Sequence, residues 1–171
     1  MQTPTTFINH IAPTAIAACD GKRLFPSLMI AQACLESNYG QSKLSSLHNN
    51  FFGIKASAGW KGAVATFNTT EYVKQRKIVI QQSFRSYPSL EAGFADRTRF
   101  LQVNPRYASN GVFKAKSPEE QALCFLKAGY ATDPSYPQKL VRIINQYNLK
   151  KYDSLCKTSN PSITTSTTNP M

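Results

Sequence analysis

The sequence predicts an α+β protein built as one domain: helices first, a small strand-rich lobe in the middle, then helices again. Three observations carry this. Apolar residues recur at helical spacing over residues 5–20 and 26–39 and again beyond Ser89. Residues 50–87 lose that period and show scattered glycines, then β-branched and aromatic residues mixed with polar ones. The chain has 171 residues, of which 42% are hydrophobic, enough to bury one core, and no internal repeat divides it. A cleft is expected where the helical and strand-rich lobes meet.

The elements follow in order. Residues 5–20 place Phe7, Ile8, Ile11, Ala15 and Ile16 on a helical pattern, with Pro13 as an interruption. "DGKRLF" is a turn. Pro26 suits the first turn of a helix and Gly40 its C-cap, so a helix is expected over residues 26–39, with a short one beginning near Ser42. "FFGIKASAGWKGAVATFNTTEYV" and "KIVIQQSFRSY" read as two or three short strands and a loop. Their turn falls near Val73 to Arg76, which leaves Glu71 at the mouth of a mobile hairpin. In "SLEAGFADRTRFLQ", Ser89 is a candidate N-cap, and Leu90, Phe94, Thr98 and Leu101 share one stripe. "SPEEQALCFLKAGY" opens with Ser117 as N-cap, Pro118 at the first helical position and Glu120 to complete a capping box. "YPQKLVRIINQYNL" is a further helix. From Lys157 onward the chain is rich in Ser, Thr, Asn and Pro and nearly chargeless, so residues 1–156 form the domain and 157–171 an expected disordered tail.

Twenty Lys and Arg against nine Asp and Glu give a net charge of +11, which favours a polyanionic partner such as nucleic acid, an anionic membrane or an anionic cell wall. The cations are scattered, and "KQRK" at 74–77 is the richest patch. Basic clusters interleaved with aromatics are missing, which argues against nucleic acid. No run of 18 apolar residues is present, so no membrane span is expected. The opening residues lack a basic n-region and are broken by His10 and Pro13, a poor secretory signal. Cys19, Cys34, Cys124 and Cys156 match no metal-binding spacing, nor do His10 and His48, so neither metal nor cofactor is expected. The four cysteines allow two disulfides in three connectivities, or four buried thiols.

Glu36, in "IAQACLESNYGQS", occupies the last turn of its helix in a chain with few acids. The partial negative charge of that helix end disfavours an ionised carboxylate. Leu35, Tyr39 and "FFGI" are placed to desolvate it, which also raises its pKa. A carboxyl held protonated near neutral pH is what a general acid requires.

"PSLMIAQACLESNYGQSKL", "NNFFGIK", "TTEY", "FRSYPSLEAGFADRTRFL", "NPRYA" and "AGYATDPSYPQKLVRII" occur in the order seen in glycoside hydrolase family 73, and over residues 5–149 the chain resembles that family. These are peptidoglycan N-acetylglucosaminidases of the flagellar-rod and autolysin type. The resemblance implies a lysozyme-like fold and hydrolysis of peptidoglycan glycan strands after N-acetylglucosamine, with Glu36 of "LES" as general acid. It also implies Glu71 of "TTEY" as the base that activates water, and Tyr130 of "AGYATDP" as a site residue able to orient the substrate's acetamide in a substrate-assisted route. Asp96, in "FADRTRF", matches a helical Asp proposed to matter, although an Asp beside Arg97 and Arg99 also has an ordinary structural reading. Asn50 and Phe51 are expected to shape the cleft floor, and Tyr107 and Trp60 are candidate sugar contacts. Alternatives are a muramidase of the same fold and a non-catalytic wall-binding module. A monomer acting on the cell wall, in periplasm or exterior, is expected, delivered by a holin or a specialised secretion or flagellar export route.

Overall fold

A computed structural model describes residues 3–156; the expected tail, 157–171, lies outside the described residues. Helix α1 (Pro4–Cys19) starts where the Thr3 hydroxyl accepts the Thr6 N–H, with Pro4 in its first turn. Pro13 sits inside α1 without ending it. An interior proline costs about 3 kcal/mol. Burial of Phe7, Ile8, Ile11, Ala12, Ala15 and Cys19 along the helix offsets that cost.

Helix α2 (Pro26–Ser37) is the centre of the molecule. It packs against α1, the later helix α7 (Tyr136–Gln146) and a C-terminal 3₁₀ segment (Leu149–Leu155), and it is buried from Pro26 to Cys34. It ends at Ser37, short of the expected residue 39. Asn38, Tyr39 and Gly40 run through the left-handed region at φ 49°, 53° and 77°. The Tyr39 N–H closes onto the Cys34 carbonyl, and the Ser37 hydroxyl accepts the Gly40 N–H, so the helix end is satisfied before glycine is reached. Helix α3 (Lys43–His48) follows, capped by Ser42 as expected.

Strands β1 (Val64–Val73) and β2 (Arg76–Arg85) form one antiparallel hairpin, with Val73 opposite Arg76 across a two-residue turn. Lys74 and Gln75 both have positive φ, as a type I′ turn requires. A single bridge from Lys55 to Phe84 stands in for the third strand. The base of the hairpin joins the body through backbone bonds from Arg85 to Ile54 and from Ala56 to Ser83. Its outer half is thinly covered: Val73, Ile78 and Val79 are exposed.

Helix α4 (Leu90–Val103) begins with the Ser89 hydroxyl accepting the Ala92 N–H. It buries Phe94, Thr98 and Leu101 as the stripe predicts, and Arg97 beside them. A Cβ at Gly93 would fall 2.3 Å from the Asn49 carbonyl oxygen, so glycine is what lets α4 meet the loop after α3. Helix α5 (Pro105–Ser109) and a 3₁₀ turn (Val112–Lys114) lead to α6 (Pro118–Lys127). Ser117 caps α6, but the Glu120 carboxylate accepts the N–H of Lys116, so the capping box closes one residue early.

The four cysteines are buried, and no disulfide forms among the described residues. Burial pushes the Cys34 thiol up to about 12, so it stays protonated and packs as a small hydrophobe in the acid's own helix. No helix among the described residues is long and apolar enough to cross a membrane.

Candidate active site

Glu36 stands at the C-terminal end of α2, open to solvent between two hollows. One, of about 450 Å³, is lined by Leu35, Tyr130, Thr132, Asp133, Tyr136 and Lys139. The other is a trough of about 760 Å³ running past Phe52, Lys55, Arg85, Asn104, Arg106 and Tyr107. Glu36, Gly129 and Tyr130 border both, so the two form one groove with the carboxyl at its middle. The surrounding protein desolvates Glu36 and raises its pKa above the usual carboxylate range; a hydrogen bond from Tyr136, 3.0 Å from Oε1, pulls the other way. Desolvation wins.

Tyr130 lies beside the acid, its ring packed on Phe125 at 5.2 Å and Tyr107 at 6.1 Å between centroids. Its hydroxyl is buried beside the Arg97 guanidinium, with no well-aligned hydrogen bond among the described residues. Burial raises its pKa, with the Arg97 charge opposing, so it stays a neutral donor. Tyr107 is fully buried, and its hydroxyl accepts from Arg106 at 2.7 Å. It supports Tyr130 and lines the trough from below.

Glu71 lies on β1 opposite Ile78, two rungs from the pair that closes the hairpin turn. Asn50 is buried; its amide donates to the carbonyls of Ile54 and Arg85 and accepts the N–H groups of Phe52 and Ile54. It therefore ties the "NNFFGIK" loop to the hairpin. Phe51 points into the core, against Phe7 and Phe94, and its neighbour Phe52 lines the trough. Asp96 accepts from Arg85 at 2.8 Å and from the Tyr87 hydroxyl at 2.6 Å. Trp60 donates to the Ala63 carbonyl and lies under the Arg85 guanidinium, 4.5 Å from the ring centroid. Trp60, Tyr87 and Asp96 line a hollow of about 440 Å³ that shares no lining residue with the groove around Glu36.

Three groups at the site were not singled out from sequence: Tyr136, Gln32 and Arg97. Two of them carried a signal. Gln32 is four residues before Glu36 and so on the same helix face, and Arg97 falls between Phe94 and Leu101 on the buried spacing of α4.

A solvent-open groove with a pKa-raised carboxyl at a helix end, flanked by aromatics and bordered by the base of a two-stranded hairpin, defines a lysozyme-like glycoside hydrolase. The chain belongs to the glucosaminidase family, glycoside hydrolase family 73, whose model, described as mannosyl-glycoprotein endo-beta-N-acetylglucosaminidase, matches residues 12–149. It is 39% identical over 161 residues to a "Probable N-acetylmuramidase" of Lactococcus lactis subsp. cremoris, covering 90% of this chain and 36% of that protein. It is 38% identical over 152 residues to the peptidoglycan hydrolase FlgJ of Vibrio cholerae, covering 85% of this chain and 45% of that protein. The chain thus spans under half the length of these curated relatives. The catalytic domain of the autolysin Auto from Listeria monocytogenes superposes with a TM-score of 0.77 at 35% identity, covering 90% of each chain.

Proposed function

We propose that the chain is an endo-β-N-acetylglucosaminidase that hydrolyses the glycan strands of bacterial peptidoglycan, outside the cytoplasm and as a monomer without nucleic acid. The observation that carries this reading is the Glu36 carboxyl, held by Tyr136 in the middle of an open groove and pushed toward its protonated form. Relatives named peptidoglycan hydrolase and autolysin support the substrate. Glu36 donates its proton to the glycosidic oxygen as the C–O bond breaks. Glu71 removes a proton from the attacking water, which gives inversion. Lys55 and Arg106, in the same trough, suit carboxylates on the peptide stems.

Two specific observations favour other routes. The Tyr130 hydroxyl, with its proton given to no acceptor beside Glu36, suits a substrate-assisted reaction in which it orients the acetamide as the nucleophile. The Lactococcus relative's name favours a muramidase. Borohydride reduction of the digestion products separates the bond choices: N-acetylglucosaminitol at the new ends supports the proposal, and muramitol there reassigns the enzyme.

A further inference from the structure

The Glu36 carboxyl is the end of a hydrogen-bond chain that begins in the core. Arg97 on α4 is 1% exposed. It has no ion pair among the described residues, its Nε is unpaired, and its guanidinium lies 5.3 Å from the ring centroids of both Phe52 and Phe125. A buried cation with no carboxylate is uncommon and costly. Its well-formed acceptor is the Gln32 amide oxygen, and the Tyr130 hydroxyl also lies against its charge.

Guanidinium groups only donate, so Gln32 must present its oxygen to Arg97 and its NH₂ to the other side. There Nε2 donates to the Tyr136 hydroxyl at 3.1 Å. Tyr136, accepting at that oxygen, is left with its own proton for Glu36 Oε1 at 3.0 Å. Each role is forced by the one before it. Without the guanidinium, the Gln32 amide is free to turn over, offer its oxygen to Tyr136 and draw that proton away from Glu36.

We propose that Arg97 is a positioning residue for the glycosidase reaction, acting through Gln32 and Tyr136 to keep a donated proton on Glu36 Oε1 and so leave Oε2 as the oxygen that carries the transferable proton. This rests on Glu36 being the general acid. The other charged or titratable groups facing Glu36 are Tyr130, Asp133 and Lys139 on the α6–α7 side, with Asp133 paired to Lys139. Across the trough they are Lys55, Arg85, Arg106 and Tyr107, with Arg85 held by Asp96. Among the described residues Tyr136 is the one that hydrogen-bonds the carboxyl.

The test is direct titration of Glu36 by carboxyl-carbon NMR in wild type, Tyr136→Phe, Arg97→Met, Arg97→Lys and the Tyr136→Phe/Arg97→Met double variant. A donor to the ionised form lowers a carboxyl pKa, so Tyr136→Phe should raise the Glu36 midpoint by about one pH unit. Arg97→Met should raise it too, add nothing in the Tyr136→Phe background, and be rescued by lysine, which also only donates. The basic limb of the kcat/KM profile should move up with the midpoint, and kcat should fall on the order of tenfold with KM unchanged. Arg97→Met leaving the midpoint at its wild-type value, or shifting it fully in the double variant as a through-space charge would, overturns the chain. If Arg97→Met fails to fold, Gln32→Leu cuts the same chain and must give the same pattern. Failure of the acid assignment shows elsewhere, as lysis retained by Glu36→Gln, and leaves the titration result standing.

Discussion

The two banks of the groove are built differently. The Glu36 bank is the most deeply supported part of the molecule: α2 is buried along most of its length, and its end is gripped by Tyr136 from α7. The opposite bank is the Phe52–Lys55 loop, the end of α4 with α5, and Arg85 at the base of a hairpin whose outer half has exposed Val73, Ile78 and Val79 and, among the described residues, no second sheet behind it. A two-stranded hairpin is marginal on its own and takes its order from what it packs on. The packing is at the base, through Asn50, Arg85 and the Trp60–Asp96 cluster. On the proposed reading the difference separates two jobs. A general acid gains from a fixed position and a shaped pKa. A base that must also admit a polymer gains from an arm that closes after the substrate is in place.

The largest effect that tests this contrast belongs to the fixed bank. Glu36→Gln should reduce cell-wall lysis by roughly 10²–10⁴-fold or more with the far-ultraviolet dichroism unchanged. Lysis at the wild-type rate by the folded variant breaks the contrast at its root. The same substitution has a stability consequence. The folded protein holds the Glu36 proton more tightly than the unfolded chain does. Stability from this group is therefore fully present below the unfolded carboxyl pKa and is lost as pH rises through the folded one. Glu36→Gln should melt higher than wild type near neutral pH, with the gap closing under acid conditions. A gap that widens toward low pH would mean the carboxyl is stabilised as an ion.

Next comes the choice between Glu71 and Tyr130. If Glu71 activates water, Glu71→Gln should cost on the order of 10²-fold or more in turnover with affinity nearly intact, and Tyr130→Phe should be mild. If the acetamide attacks, the order reverses, because an unoriented acetamide loses its proximity advantage. The product anomer, read by NMR before mutarotation, settles the matter independently: inversion belongs to Glu71, and a retained β-anomer removes it as base.

The same division explains what could be read from sequence. The capping residues Ser89 and Ser117, the hairpin turn and the α4 stripe are local patterns, and each stands as expected. The direction of Glu36's pKa shift was legible too, through desolvation, whereas the opposing hydrogen bond from Tyr136, 100 residues away, was not. What was not legible depends on long-range pairing. The Gln32–Tyr136 contact joins residues 104 apart, and Arg97 reaches Gln32 across 65. Gly40 was the natural helix stop by propensity, yet Asn38 takes the left-handed turn first. Nothing local distinguishes Asp96 as the partner of Arg85 and Tyr87 from a residue facing the groove.

The smallest expected effect concerns charge along the groove. The net charge of +11 predicts that binding to wall fragments weakens with salt, since exposed charges are screened over about 8 Å at 0.15 M ionic strength. The structure narrows which cations matter. Arg85 is occupied by Asp96 and stacked on Trp60, and Lys139 is paired with Asp133. Lys55 and Arg106 are exposed in the trough with no ion pair among the described residues. Each exposed contact with a stem carboxylate is worth about 0.2–1 kcal/mol, so Lys55→Gln or Arg106→Gln should weaken fragment binding by only about two- to fivefold. Each should also flatten the salt dependence, and turnover on bound substrate should barely change. Arg106 additionally donates to the Tyr107 hydroxyl beneath Tyr130, so its variant should show a small loss in kcat that Lys55→Gln does not. Association constants that do not vary with salt in wild type, or that keep the wild-type slope in both variants, would show that the stems are not read by these two cations.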